Sequence, residues 1–110
     1  MFARSQRLRK NSDILRVYKR GNRAYTNHLK LHYVVNPRGT RVAVVVSKKV
    51  DKRAVIRNTA KRRVRELIRE ELKVLSLTQF DIIVTIQTSL INVSVSELRS
   101  EVRQLLGRMR

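Results

Sequence analysis

From Arg41 to Arg69 the chain reads RVAVVVSKKVDKRAVIRNTAKRRVRELIR, and two different periods meet inside that stretch. Arg41 to Ser47 is valine-rich and β-branched, the composition of a strand. From about Val55 to Leu75 the period becomes helical. Ile56, Ala60, Val64 and Leu67 fall within an arc of roughly 80°, while Arg57, Asn58, Lys61, Arg62, Arg65 and Arg69 sweep about 140° on the other side. One side is core and the other is nearly pure positive charge. The stretch holds 11 basic residues against two acidic ones, Asp51 and Glu66. Arg57, Lys61, Arg65 and Arg69 make three successive like-charge pairs, and each such pair destabilises an isolated helix by about 0.2–0.5 kcal/mol. Local stability opposes this arrangement, so a polyanionic ligand explains it better than a merely solvated face does.

Working outward, the remaining elements follow from pattern and punctuation. Leu29 to Val35 alternates, with Leu29, Leu31, Tyr33 and Val35 on the side expected to be core and His28, Lys30, His32 and Val34 on the other. Pro37 and Gly39 mark a turn, so this strand and the valine strand are expected to pair as an antiparallel hairpin. Upstream, Asn11 or Ser12 is expected to cap a short helix carrying Ile14, Leu15, Val17 and Tyr18, with Lys19 and Arg20 in its last turn and Gly21 just beyond. Phe80 to Gln87 alternates as a third strand. Ser94 and Glu97 have capping-box spacing ahead of a stripe of Val95, Leu98, Val102, Leu105 and Leu106. The expectation is one α+β domain over residues 1–110, an α/β sandwich in the order helix, strand, strand, helix, strand, helix, with residues 1–10 as a basic arm.

The whole chain has 110 residues, 26 Lys and Arg against 8 Asp and Glu, and a formal charge of +18. At 42% hydrophobic residues it has apolar material for a core, which excludes a disordered basic tail. There is no cysteine, which excludes disulfides, thiolate metal sites and thiol nucleophiles. The longest aliphatic run, Val42 to Val46, is far short of the roughly 20 residues a spanning helix needs. The N-terminus MFARSQRLRK is basic without acids, open to reading as a transit peptide or, as favoured here, a solvated arm. A cytoplasmic, reducing location is expected. Arg4, Arg7, Arg9 and Lys10 are assigned only a general attraction for phosphate.

Catalytic constellations are not legible. His28 and His32 have the spacing of a helical zinc pair but fall on a strand with no third ligand in view, and the carboxylates are too scattered to hold Mg²⁺. No glycine-rich phosphate loop and no Ser, His, Asp arrangement emerges. The chain reads as a binder. Asn58, among the cations, can donate and accept toward a phosphate, a ribose hydroxyl or a base edge, or can serve local backbone instead. Tyr18 and His32 offer stacking surfaces for unpaired bases, with burial of Tyr18 in helix packing as the alternative.

The valine strand ending in Ser47-Lys48-Lys49 and the following Arg57-Asn58-x-x-Lys61-Arg62-x-x-Arg65 together resemble the signature of the bacterial ribonuclease P protein component. Leu8 to Gly21 resembles that family's first helix, and the likeness runs through the closing strand and helix. The resemblance implies a ribonucleoprotein endonuclease whose RNA subunit carries the active site, with Mg²⁺ there and no catalytic residue or metal on the protein. It implies that Arg57, Asn58, Lys61, Arg62, Arg65, Lys48 and Lys49 contact the catalytic RNA. It also implies a cleft at Ile14, Tyr18 and His32 for the 5′ leader of precursor tRNA, where Ile14 and His32 depart from the family's usual aromatics. A left-handed crossover around the basic helix is a further implication. Neither a membrane nor DNA is an expected partner. A ribosomal or RNA-chaperone protein is the second class of function, and a protein-only nuclease, which needs a carboxylate metal site, is the third.

Overall fold

The computed structural model describes residues 6–76 and 79–109. In chain order the elements are α1 (Asn11–Arg20), β1 (Asn22–Tyr25), β2 (Leu29–Val35), β3 (Arg41–Val46), α2 (Ala54–Val74), β4 (Phe80–Ile86) and α3 (Val95–Gly107). The class is the expected α+β, with one strand more than the pattern showed. β1 is four residues long with only Ala24 buried, so it carries no alternation to read. It forms because the chain turns back at Thr26, whose amide donates to the Leu29 carbonyl, and lies antiparallel on β2.

The expected hairpin between β2 and β3 does not form. The sheet order is β1-β2-β4-β3, with β4 antiparallel to β2 and parallel to β3. The reason lies in β4 itself: Asp81, Ile82, Ile83 and Val84 are all buried, so both faces of this strand are covered, which places it in the middle of the sheet. Parallel neighbours need a long crossover, and the 21-residue α2 supplies it. Between β2 and β3, Gly39 adopts a φ of 130°, a conformation side-chain-bearing residues rarely take.

One face of the sheet carries Leu29, Leu31, Val42, Val44, Ile82, Val84 and Ile86 against Val64, Leu67, Ile68 and Leu72 of α2 and Leu98, Val102, Leu105 and Leu106 of α3. Tyr33 packs on this core as its alternation predicted, and its hydroxyl donates to the Arg108 carbonyl at 3.2 Å. The Ser94 hydroxyl caps α3 by accepting from the Glu97 amide at 3.1 Å. Val95 does not join the stripe and is 51% exposed.

The opposite face is covered in part by α1. Asn11 is the first helical residue rather than its cap, and the preceding Lys10 makes no side-chain capping bond. Leu8 anchors the entry instead, with its side chain buried and its amide donating to the Val42 carbonyl at 2.9 Å. The basic arm is therefore docked from Arg7 onward, and Arg4 lies outside the described residues. Gly21 ends α1 where a Cβ would stand 2.2 Å from the Val17 carbonyl oxygen and 3.0 Å from that of Tyr33. Only glycine allows that approach.

Candidate nucleic-acid interface

Except at Arg69, the exposed side of α2 keeps its charge because the acids are engaged with other arginines. Six of the carboxylates pair with arginines: Asp13 and Asp81 with Arg41, Asp81 also with Arg16, Asp51 with Arg53, Glu66 with Arg69, Glu70 with Arg99 and Glu71 with Arg103. None of these reaches Lys61, Arg62 or Arg65. Arg69, grouped with the basic face by its helical angle, belongs to an ion pair that raises its pKa and holds the Glu66 carboxyl below its ordinary value. Arg57 donates from Nη1 to the carbonyls of Asp51 (3.0 Å) and Lys52 (2.8 Å), which pins the loop leading into α2. Arg63 donates to the Val93 carbonyl and so ties α2 to the segment before α3. Asn58 and Arg62 are exposed, while Lys61 and Arg65 are half-buried. Lys48 and Lys49 stand exposed in the turn between β3 and α2.

On the other face of the sheet the strand register lays side chains out in rows. Val34, Asp81 and Arg41 form one row, His32, Ile83 and Ala43 the next, and Lys30, Thr85 and Val45 the third. The 10-residue α1 covers only the first two rows. At the first, the fully buried Asp81 carboxylate accepts from Arg16, Arg41 and Asn36 at 2.8–2.9 Å. Burial pushes its pKa up, but these donors together outweigh burial and hold it below the ordinary aspartate value. At the second, Tyr18 meets His32 edge-on, with ring centroids 4.9 Å apart and planes at 74°. Ile14 is half-buried in the same apolar cluster. Among the described residues the third row is a partly open shelf, with Lys30 and Thr85 half-buried and Val45 exposed, bordered by the exposed ring of Tyr25 with the Lys30 ammonium 5.4 Å from its centroid.

His32 differs from the open stacking ring the alternation suggested. It is 4% exposed beneath Tyr18, and its Nδ1 has no hydrogen-bond partner. Burial first, then the charges of Lys30 and Arg23, push its pKa below 6.5, so the ring is held neutral. The residue that presents a surface here is Tyr18, half-exposed above His32. Tyr25, Thr85 and Val45 were not singled out in the sequence, because only the pairing of β2, β4 and β3 brings them into one row.

The family described as Ribonuclease P matches residues 2–110 of the sequence. The chain belongs to the ribonuclease P protein family. A ribonuclease P protein component from Pseudanabaena is 34% identical, covering 98% of this chain and 94% of that protein, and one from Xylella fastidiosa is 33% identical over 98% of this chain and 78% of that protein. The solved ribonuclease P protein from Thermotoga maritima superposes with a TM-score of 0.83 at 29% identity, covering 94% of this chain and 97% of that one.

The residues that the family likeness marks fall on two surfaces. Arg57, Asn58, Lys61, Arg62 and Arg65 share α2, with Lys48 and Lys49 just ahead of it, while Ile14, Tyr18 and His32 converge where α1 meets the sheet. One cluster was not legible at all: His28, Glu97 and Glu101 bring possible metal-binding atoms within 4.8 Å of one another. The Glu101 carboxylate already accepts from the Thr26 hydroxyl (2.6 Å), the His28 amide (2.8 Å) and His28 Nδ1 (2.6 Å), so the group works as a clasp between the β1–β2 turn and α3.

Proposed function

We propose that this chain is the protein subunit of ribonuclease P, which binds the catalytic RNA through α2 and Lys48–Lys49 and receives the 5′ leader of precursor tRNA at Tyr18 and the adjoining shelf. It thereby assists endonucleolytic removal of the leader to form the mature tRNA 5′ end. The observation that carries the reading is the sorting of charge: carboxylates pair with Arg16, Arg41, Arg53, Arg69, Arg99 and Arg103, while among the described residues Lys61, Arg62 and Arg65 have no acid partner. Such a surface neutralises backbone phosphates of a folded RNA and displaces its counterions, which gives affinity and a steep salt dependence. The shelf adds affinity only for a ligand with an unpaired strand. Each base stacked on an aromatic contributes about 1–3 kcal/mol, so one base on Tyr18 or Tyr25 favours leader-bearing precursor over mature tRNA by roughly 5- to 150-fold.

Hydrolysis is assigned to the RNA subunit, with Mg²⁺ at its active site and the cytoplasm as the place of action. Mg²⁺ prefers an octahedral set of oxygen ligands. The His28, Glu97 and Glu101 cluster, an imidazole beside a carboxylate that already accepts three hydrogen bonds, is a poor fit to it. The protein's contribution is to bind, orient and screen charge. Reconstitution with the catalytic RNA at low Mg²⁺, assaying leader cleavage with and without the protein, tests the proposal. Stimulation of the RNA supports it. No stimulation despite RNA binding selects a ribosomal or chaperone role, and cleavage by the protein alone selects a protein nuclease.

A further inference from the structure

A cavity of about 330 Å³ opens at the outer edge of β3, beside the Arg7–Val42 bridge, and is lined by Arg7, Leu8, Arg9, Val42, Ala43, Val44 and Arg65. It brings together three elements remote in sequence: the segment before α1, the edge strand and the basic helix. Three of its seven lining residues are arginines and none is acidic. Among the described residues Arg7, Arg9 and Arg65 have no carboxylate partner, in contrast to Arg16, Arg41, Arg53, Arg69, Arg99 and Arg103. Holding three like charges around one concavity costs free energy in the absence of an anion.

The edge of the sheet adds a second kind of donor. Leu8 covers β3 only at Val42, by its amide bond to that carbonyl. Backbone groups two residues apart on a strand face the same edge, so Val44 turns its N–H toward the cavity that it lines. Guanidinium forks with a backbone N–H beside them are phosphate-binding chemistry. The location also matters, since Arg65 belongs to the α2 face and Ala43 to the row adjoining the open shelf.

We propose that this cavity seats a phosphodiester of an RNA strand that passes from the α2 face over the β3 edge to the shelf, with Arg7, Arg9 and Arg65 as its cationic ligands. The proposal rests on the RNA-binding reading above and extends it to the segment before α1. Arg7 and Arg9 then have a specific target rather than a diffuse attraction for phosphate. The strand is either part of the catalytic RNA or the leader of the precursor, and the same phosphate chemistry serves both.

The test uses the double variant Arg7→Ala with Arg9→Ala, in which the buried Leu8 anchor is untouched, so folding is retained and is checked by its thermal transition. Its control, Lys73→Ala with Arg108→Ala, removes the same charge from the ends of α2 and α3. Binding is measured as a function of salt for two ligands: the protein on catalytic RNA alone, and the reconstituted holoenzyme on precursor against mature tRNA. The expected result is about tenfold weaker binding, from the loss of charge-assisted hydrogen bonds, and a salt slope smaller by about one. A loss on catalytic RNA alone assigns the strand to that RNA, and a loss confined to leader-bearing precursor assigns it to the leader. If the variant matches wild type on both ligands, or if the control loses as much, the cavity is not a phosphate site although the RNA-binding reading stands. If wild type binds neither RNA, both proposals fall together.

Discussion

Single residues on these two surfaces do different work from their neighbours of the same type. Arg63 and Arg65 are two positions apart on one helix, yet Arg63 is spent on the Val93 carbonyl while Arg65 lines the cavity and, among the described residues, has no carboxylate partner. Arg65→Ala is therefore expected to weaken binding to the catalytic RNA and flatten its salt slope by about one, with little change in the thermal transition. Arg63→Ala is expected to lower stability by about 1 kcal/mol, the worth of one hydrogen bond, as read by urea unfolding. Tyr18→Ala should reduce affinity for leader-bearing precursor and leave mature tRNA binding unchanged; an equal loss for both would make Tyr18 a packing residue. Asp81 serves stability. Its carboxylate is fully buried among Arg16, Arg41 and Asn36, so Asp81→Ala removes the shared acceptor of all three, leaving Arg41 only Asp13 and turning Arg16 to solvent, and is expected to cost about 2 kcal/mol in chemical denaturation.

At the scale of elements, the position of α1 decides how much of the sheet an RNA strand can reach. The helix is tied to the sheet by the Arg16 bond to Asp81, by the Asp13–Arg41 ion pair and by the Tyr18–His32 contact, and it packs on the Val34 and Ala43 rows rather than on the Lys30, Thr85 and Val45 row. Gly21 sets its exit, with a Cβ there standing 2.2 Å from backbone oxygen. Gly21→Ala should lift the last turn of α1 from β2, lower stability, and cut leader-dependent affinity without altering the salt slope on catalytic RNA, since α2 is untouched. Equal effects on both ligands would show that the two surfaces are not independent. The paired arrangement of β2, β4 and β3 was not legible locally, because the turn residues Pro37 and Gly39 fit a hairpin and only burial of both faces of β4 decides against it.

For the molecule as a whole, a charge of +18 makes solution conditions part of its behaviour. His32 is kept neutral by burial and by Lys30 and Arg23, so below 6.5 the unfolded chain takes up a proton that the folded chain resists, and stability falls as the pH drops. The carboxylates of Asp81 and Glu101 are held below their ordinary values of 3.8 and 4.5 despite burial, which opposes the shift. Their contribution is complete above those values and is lost as the pH falls through the lowered ones. Urea midpoints measured against pH should therefore be level above about 6.5, decline gently below it, and fall steeply in the acid range. His32→Asn should remove the gentle decline and leave the acid limb. By itself the sequence determined the periods, and with them the three helices, the three longer strands, the polarised face of α2 and the family, because side-chain spacing along one element needs no knowledge of another. Tertiary structure alone decided that β4 lies between β2 and β3, that His32 is closed beneath Tyr18, that carboxylates leave Lys61, Arg62 and Arg65 unneutralised, and that Arg7 and Arg9 meet Arg65 at a strand edge. Each of these depends on contacts between residues in different elements, which follow from burying both faces of one apolar strand rather than from any local pattern.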